Sequence, residues 1–251
     1  MSPVEFGATA LASLVIGLLI GTIGIGGVLL TPWLTQVMDV PVHQAIMISS
    51  FAFIATGVAA IVVAARSRRA GDAGAVDWSL VVATVPGALA GAWALSVIPA
   101  RLAVALLALL TGWVGLRVLF AREVAVGASF GTRPVRSMPL GFMTGLASAL
   151  TGTGGPMVLT PLLLWQGVPM MAAILLGQLV QLPIAITASA GNLLLGEVDV
   201  RIGTTVGLLL LPGALLGRRL ALALPLAALS RVVGVTLVAA SASFAARALG
   251  R

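Results

Sequence analysis

Two short glycine clusters, each followed by a proline and flanked by hydroxyl side chains, have the clearest chemical potential in this chain. The first is Gly-Ile-Gly-Gly at 24–27 and the second is Gly-Thr-Gly-Gly at 152–155. Glycine in a helix interior costs about 1 kcal/mol relative to alanine, so each cluster favours a helix break. A half-helix that begins after a break directs unpaired amides and a positive dipole end toward it. Such ends bind anions, so the clusters predict an anion site.

The segments that carry these clusters are too apolar for a water-soluble protein. Of the 251 residues, 60% are hydrophobic and 8% are charged, against roughly 45–50% and about 25% in soluble domains. The apolar stretches reach or exceed the ~20 residues that span a bilayer. The first stretch lacks a basic leading region, which favours a retained segment over a signal peptide. We therefore predict an all-α, multi-pass protein of the inner (plasma) membrane, surrounded by the lipid bilayer.

The charged residues exclude several classes of function. The formal charge of +7 is the balance of fourteen arginines and seven carboxylates. The arginines are spread over the connections between apolar segments, which is the positive-inside pattern and not a nucleic-acid footprint. The sequence has no cysteine, and none of its seven carboxylates lies in the middle of an apolar segment. Catalytic and metal sites need such groups to converge in a pocket. We expect no enzyme activity, no catalytic residues, no metal, no cofactor and no nucleic-acid partner. The oligomeric state is not predicted.

An internal repeat divides the chain into two halves. The glycine clusters recur after 128 residues (152 − 24), and Pro41 and Pro169 are separated by the same interval. The motif Pro-Gly-Ala-x-x-Gly at 86–91 returns at 212–217. Ordered matches of this kind predict two copies of one structural unit. The predicted extents are 1–251 for a single membrane domain, about 4–120 for repeat 1, about 121–137 for a cytoplasmic linker and about 138–246 for repeat 2.

Each repeat contains four apolar helical segments, and their topology has two solutions. If all eight segments cross the membrane, the repeats are parallel. If the first segment of each repeat is a re-entrant hairpin folded at its glycines, three segments cross per repeat and the repeats are inverted. Positive-inside counting accepts both. The fifth segment divides into two half-length pieces, which favours the inverted form. The segments are 4–38, 42–65, 78–97, 100–120, 138–166, 169–195, 202–222 and 225–246.

Broken segments at corresponding positions of two repeats indicate a binding site more strongly than one break does. A lone glycine cluster is more typical of close helix packing in membranes. Paired breaks are typical of transporter sites, because irregular backbone at membrane depth needs protein or a water-filled cavity around it. We predict a substrate site near mid-membrane between the clusters. Its predicted residues are Gly24, Gly26, Gly27, Thr31, Thr151, Thr153, Gly154 and Gly155.

Further polar residues extend this predicted site. Gln178 and Gln181 share one face of the sixth segment; their amides, with the hydroxyls of Thr151 and Thr153, suit an oxyanion that must also be released. Interhelical hydrogen bonding explains the glutamines equally well. His43 lies at a segment mouth and is either an ordinary interfacial histidine or a group for proton coupling. Arg218 and its neighbour Arg219 end the seventh segment and are interpreted as topology determinants.

These features resemble the TauE/SafE sulfite exporter family, also called the toluene sulfonate uptake permeases. The resemblance rests on Gly21 with the cluster at 24–27 and Pro32, on the second copy at 145–161, and on the Val-Asp and Pro-Gly-Ala-x-x-Gly motifs of the third segment. It implies transport of a small sulfur-containing anion such as sulfite or a sulfonate, and it implies that Ser49, which retains the hydroxyl of the family's Gly-Thr-Ser stretch, belongs to the substrate site. We therefore expect a secondary transporter, a permease or exporter, that works by alternating access. The alternatives are an anion channel and a substrate-free membrane scaffold.

Overall fold

A computed structural model gives the fold. It describes residues 3–24, 26–69, 77–120, 134–166, 168, 170–196 and 198–220, and parts of a helix at 231, 234–235, 237–239, 241–242 and 244–246. Most of the predicted linker and the start of the eighth segment lie outside the described residues. Within the described residues every regular element is a helix.

The helices follow the apolar segments closely. Their bounds are α1 Pro3–Ile23, a 3₁₀ turn Gly26–Leu29, α2 Leu30–Gln36, α3 Val42–Arg69, α4 Trp78–Val97, α5 Ala100–Phe120, α6 Pro134–Thr151, α7 Pro156–Trp165, α8 Met170–Leu195 and α9 Val200–Leu220. The first and fifth segments are each divided at their glycines, as predicted. The fifth begins at Pro134, four residues before the predicted Met138.

Five of the described helices are long and apolar enough to cross a membrane. They are α3, α4, α5, α8 and α9, with spans at Val42–Val62, Trp78–Val97, Ala100–Arg117, Ala172–Leu195 and Val200–Leu220. The apolar part of α1, Gly7–Thr22, is shorter than these spans. The prediction of an all-helical multi-pass membrane protein is confirmed.

The chain reverses direction within the first segment. The hydroxyl of Thr9, near the start of α1, donates to the sulfur of Met38, two residues after α2, over 3.6 Å. Since α1 continues for about 20 Å beyond Thr9, this contact requires α2 to return toward the face where α1 begins. Gly24 lies at the turn, where its φ of 76° is a left-handed conformation that favours glycine.

Glycines allow two helix pairs to pack backbone against backbone. A Cβ atom on Gly21 would overlap the carbonyl oxygen of Ala214, and one on Gly217 would overlap that of Leu18. The equivalent pair, α4 with α6, has the same geometry at Gly87 and Gly145. The two helices of each pair run parallel. The Pro-Gly-Ala-x-x-Gly motif is thus a close-packing surface between the third segment of one repeat and the first of the other.

Helices at equivalent positions of the two repeats pack antiparallel. On α3 and α8, Gly57 lies against Leu182 while Met47 lies against Gly196, so residue numbers rise on one helix as they fall on the other. The same holds for α5 and the helix at 231–246, where Gly115 faces Leu237 and Gly112 faces Ser241. The core of the molecule is the α3–α8 pair, held between the two parallel pairs.

Matching aspartates begin the third segment of each repeat. The Oδ1 atom of Asp77 accepts from the backbone N–H of Ser79 at 3.1 Å and from that of Leu80 at 3.3 Å. Asp199 accepts from the N–H of Ile202 at 2.9 Å. These are ordinary N-caps, which satisfy amides that have no partner within the first helical turn. The repeated Val-Asp sequence therefore marks the start of α4 and α9.

Candidate functional site

The two glycine segments meet at the centre of the molecule, with the ring of Phe53 between them. A Cβ on Gly27 would lie 2.9 Å from the ring's Cζ and 3.1 Å from the Thr153 carbonyl oxygen. A Cβ on Gly154 would lie 2.9 Å from Cδ2 of the same ring. Phe53 is 1% exposed, and residues 151–160 are buried throughout. The two clusters are in contact, and an aromatic side chain packs against both.

The second segment depends on glycine for its backbone conformation. Gly152, Gly154 and Gly155 have φ values of 62°, 79° and 86°. These are left-handed conformations in which a side chain is strained. The half-helix α7 begins directly afterwards at Pro156, as predicted, and its amides at 158 and 159 bond to the Gly155 carbonyl. In the first repeat the 3₁₀ turn precedes α2, so its half-helix starts less sharply than predicted.

The predicted hydroxyls form two pairs beside Gly152. Thr31 donates to Ser49 over 3.2 Å, and the Oγ1 atoms of Thr151 and Thr153 are 3.0 Å apart. All four residues are buried. A Cβ on Gly152 would lie 3.2 Å from Thr31 Oγ1. Hydroxyls from both repeats therefore gather at one side of the glycine segments.

The two glutamines lie on the other side, in a crevice between α1, α3, α8 and α9. The crevice is partly open to the outside and narrow: its cavity volume is about 20 Å³, room for about one water molecule in this conformation. It is lined by apolar residues and by four polar ones: Thr56, Gln178, Gln181 and Arg218. The crevice therefore has one permanent positive charge and a few polar groups in a mostly apolar lining, which is the usual composition of small-ligand sites.

A chain of hydrogen bonds connects the arginine to the end of α1. Arg218 donates from a terminal nitrogen to Oε1 of Gln178 at 3.2 Å. Gln178 in turn donates through Nε2 to the Ile20 carbonyl at 3.2 Å, and that carbonyl also accepts from Gly24 N–H at 3.0 Å. An arginine donates but never accepts, which fixes the orientation of the glutamine amide. The charge of Arg218 is thereby linked to the first glycine segment.

The second glutamine connects the crevice to the other glycine segment. Gln181 donates through Nε2 to Thr56 Oγ1 at 2.6 Å. Its Cα would lie 3.7 Å from a Cβ on Gly155. Gln181 and Phe53 occupy equivalent positions of the repeat, 128 residues apart (181 − 53). One copy therefore places the backbone of a glutamine against its glycine segment, where the other places an aromatic ring.

His43 lies apart from these groups. Its Nε2 is 3.2 Å from the carbonyl oxygen of Ile98, at the end of α4. The ring is partly buried at the mouth of α3. This contact joins α3 to the α4–α5 connection, which is what an ordinary interfacial histidine does. The structure does not bring His43 to the crevice.

A family comparison agrees with this arrangement. The family model described as sulfite exporter TauE/SafE matches residues 9–244, nearly the whole chain. The chain belongs to the TauE/SafE sulfite exporter family. No curated protein and no solved structure gives a significant match. As a family member the chain is a multi-pass membrane transport protein for a sulfur-containing anion.

Two residues of this TauE/SafE crevice were not part of the predicted site. Arg218 was interpreted as a topology determinant because it ends a segment beside Arg219. In the structure Arg218 is partly buried and faces the glutamines, whereas Arg219 is exposed. Thr56 was overlooked because a lone threonine in an apolar helix has no sequence signal. For Arg218 a signal existed, since its repeat-equivalent residue is Ala92 (218 − 126) and such asymmetry suggests a specific role.

Proposed function

We propose that the protein is a secondary transporter that moves sulfite or an organosulfonate across the inner membrane by alternating access. The observation that carries this proposal is the crevice in which Arg218, Gln178 and Gln181 adjoin both glycine segments. An arginine inside a membrane protein faces an interior cavity or another polar group and commonly marks a substrate path. Here it supplies the positive charge for an anion, in a family of sulfite exporters.

The chemistry of the crevice suits a sulfur oxyanion that must bind and then leave. A guanidinium offers several N–H donors in a planar fork, which matches the oxygens of an oxyanion. The amides of Gln178 and Gln181 each carry a second N–H, which adds a neutral donor of moderate strength; the Thr56 hydroxyl donates to the Phe53 carbonyl over 3.3 Å and holds Gln181 as its acceptor. No second positive charge lines the crevice among the described residues. One charge with neutral donors gives binding without trapping the anion.

Access to the crevice differs between the two sides of the molecule, which is what alternating access requires. Arg218, at the end of α9, borders the open crevice. Its equivalent in α4, Ala92, is 1% exposed, and a Cβ on Gly191 of α8 would lie 2.8 Å from its Cβ. The same position of the repeat thus lines an opening on one side and a tight helix contact on the other. The anion would enter by the open side and pass the glycine segments as the closed side opens.

We further propose that the repeats are inverted and that each first segment is a re-entrant hairpin. Repeats related by an axis in the membrane plane place their equivalent helices antiparallel, as α3 and α8 are. The return of α2 toward the start of α1, seen in the Thr9–Met38 contact, supports a hairpin. Six segments would then cross, of which five are the described spans.

Single cysteines at the starts of α3 and α9 test this topology. Inverted repeats place Gln44 and Val200 at one face of the membrane, whereas parallel repeats place them at opposite faces. Both residues are exposed, and the protein has no cysteine of its own. An impermeant maleimide should therefore label Gln44→Cys and Val200→Cys from the same side, and Trp78→Cys, at the exposed start of α4, from the other. Labelling of the first two from opposite sides would establish parallel repeats.

Counterflow distinguishes a carrier from a channel. Proteoliposomes loaded with unlabelled sulfite should accumulate external radiolabelled sulfite transiently above its equilibrium level. This result is expected because a carrier's site returns faster when it is loaded, whereas a channel equilibrates the label without an overshoot. Liposomes without protein are the control. Protein-dependent entry with no overshoot would indicate the channel, and no entry of any sulfur oxyanion would indicate a scaffold.

A further inference from the structure

A fully buried asparagine near the end of α8 has no polar partner among the residues that the structure describes. Asn192 is 1% exposed, and neither its Oδ1 nor its Nδ2 makes a hydrogen bond to any described residue. A side-chain amide can donate twice and accept twice. A buried amide without partners is destabilising, and such groups are rare in folded proteins. Asn192 therefore acquires partners that this conformation does not supply.

Asn192 lies on the same face of α8 as the crevice residue Gln181. Eleven residues separate them (192 − 181), which is three turns and roughly 16 Å along the helix. Ser189, also buried and also without a partner among the described residues, lies one turn before Asn192. Because Gln181 is in the first half of α8 and Asn192 is near its end, this polar face runs from the open crevice toward the closed side.

Two helix contacts close the protein around Asn192. Immediately before it, Gly191 packs against Ala92 of α4. One turn after it, a Cβ on Gly196 would lie 2.6 Å from Cε of Met47 on α3. No charged side chain takes part in either contact. The contacts consist of small or flexible apolar groups, which separate without breaking a hydrogen bond.

We propose that Asn192, with Ser189, is a second oxyanion subsite on the exit side, exposed when α4 and α3 separate from the end of α8. It rests on the proposed transport function and adds the place where the anion binds after passing the glycine segments. The amide and hydroxyl, both neutral groups, donate to the oxygens of sulfite or a sulfonate. Asn192 is unpartnered here because its subsite is closed.

The first test replaces the amide with an apolar side chain of similar size. Asn192→Leu removes an unpartnered polar group, so its melting temperature should rise by roughly 2–4 °C. Its sulfite flux in proteoliposomes should fall at least tenfold, while sulfite still stabilises it through the Arg218 crevice. Leu194→Ala, a lipid-exposed neighbour, is the control and should keep both properties. Flux within twofold of wild type would overturn the proposal. A lower melting temperature together with lost flux would also overturn it, because that result indicates a structural role for Asn192.

A second test does not depend on the transported substrate. The small anionic thiol reagent 2-sulfonatoethyl methanethiosulfonate should modify Asn192→Cys in membranes from the face where α8 ends. Leu163→Cys, at a fully buried apolar position, should stay unmodified. If Asn192→Cys is as inert as Leu163→Cys from both faces, no exit subsite opens there. A further outcome is that wild-type protein fails to transport sulfite while the reagent still modifies Asn192→Cys. That pair of results would show that sulfite is not the substrate, and it would leave the proposed subsite in place.

Discussion

Replacing Arg218 with glutamine should slow sulfite transport about thirtyfold and leave the protein folded. The side chain supplies the positive charge of the crevice and its donor to Gln178. Hydrogen bonds to charged groups contribute about 1.5–3 kcal/mol, and each 1.4 kcal/mol corresponds to a factor of ten. Glutamine keeps most of the aliphatic stem and a polar amide, so α9 retains its packing. Initial rates of sulfite uptake by proteoliposomes, measured at equal protein content, give the ratio.

The adjacent residue provides a matched control. Arg219 has the same charge and lies at the same helix end, but its side chain is exposed. Arg219→Gln should transport within about twofold of wild type, because a charge in water is screened. If both variants lose transport equally, the arginines act through net charge or topology. If neither does, Arg218 does not contact the anion.

The substitution Gly217→Ala adds one methyl group and should destabilise the protein by about 1–3 kcal/mol, the usual cost of overpacking. Its Cβ would overlap the Leu18 carbonyl oxygen, and 2.8 Å would separate it from the Leu18 carbonyl carbon. These are backbone atoms, so α1 and α9 must move apart to make room. Transport should fall too, because α1 leads directly into the first glycine segment. The melting temperature of purified Gly217→Ala protein measures the effect.

The same substitution at Gly7 is the control for helix propensity. A Cβ on Gly7 meets no atom within 4 Å, and alanine is favoured over glycine in a helix by up to about 1 kcal/mol. Gly7→Ala should therefore be neutral or slightly stabilising. Equal melting temperatures for Gly217→Ala and Gly7→Ala would mean that α1 and α9 are not in backbone contact.

The features that repeat or break the helical pattern were predictable from the sequence. Apolar length sets the helices, and the glycine clusters with Pro156 set the break before α7. The duplicated Pro-Gly-Ala-x-x-Gly motif was recognised as a repeat marker, but its packing role was not. That role depends on which helix approaches its small residues, and spacing within one segment does not specify the partner.

The candidate site was also predictable only in part, because the sequence does not specify which helices approach one another. The glycine segments and Gln178 with Gln181 were identified because they are polar or conformationally unusual in apolar surroundings. Phe53 resembles any other core aromatic residue in sequence, yet its ring packs against both glycine segments. Arg218 resembles any arginine at a membrane boundary. Whether such an arginine faces water or a crevice depends on the helices beside it, here α1, α3 and α8.

Binding of an anion in the Arg218 crevice is the central claim, and thermal stabilisation of the purified protein tests it most directly. A ligand that binds the folded state raises the melting temperature by mass action. Sulfite or a sulfonate should raise the melting temperatures of wild type and Arg219→Gln in a concentration-dependent way. The melting temperature of Arg218→Gln should not change. Sulfate, carboxylates and metal cations complete the panel. Stabilisation by a cation, or equal stabilisation of Arg218→Gln by sulfite, would contradict the account.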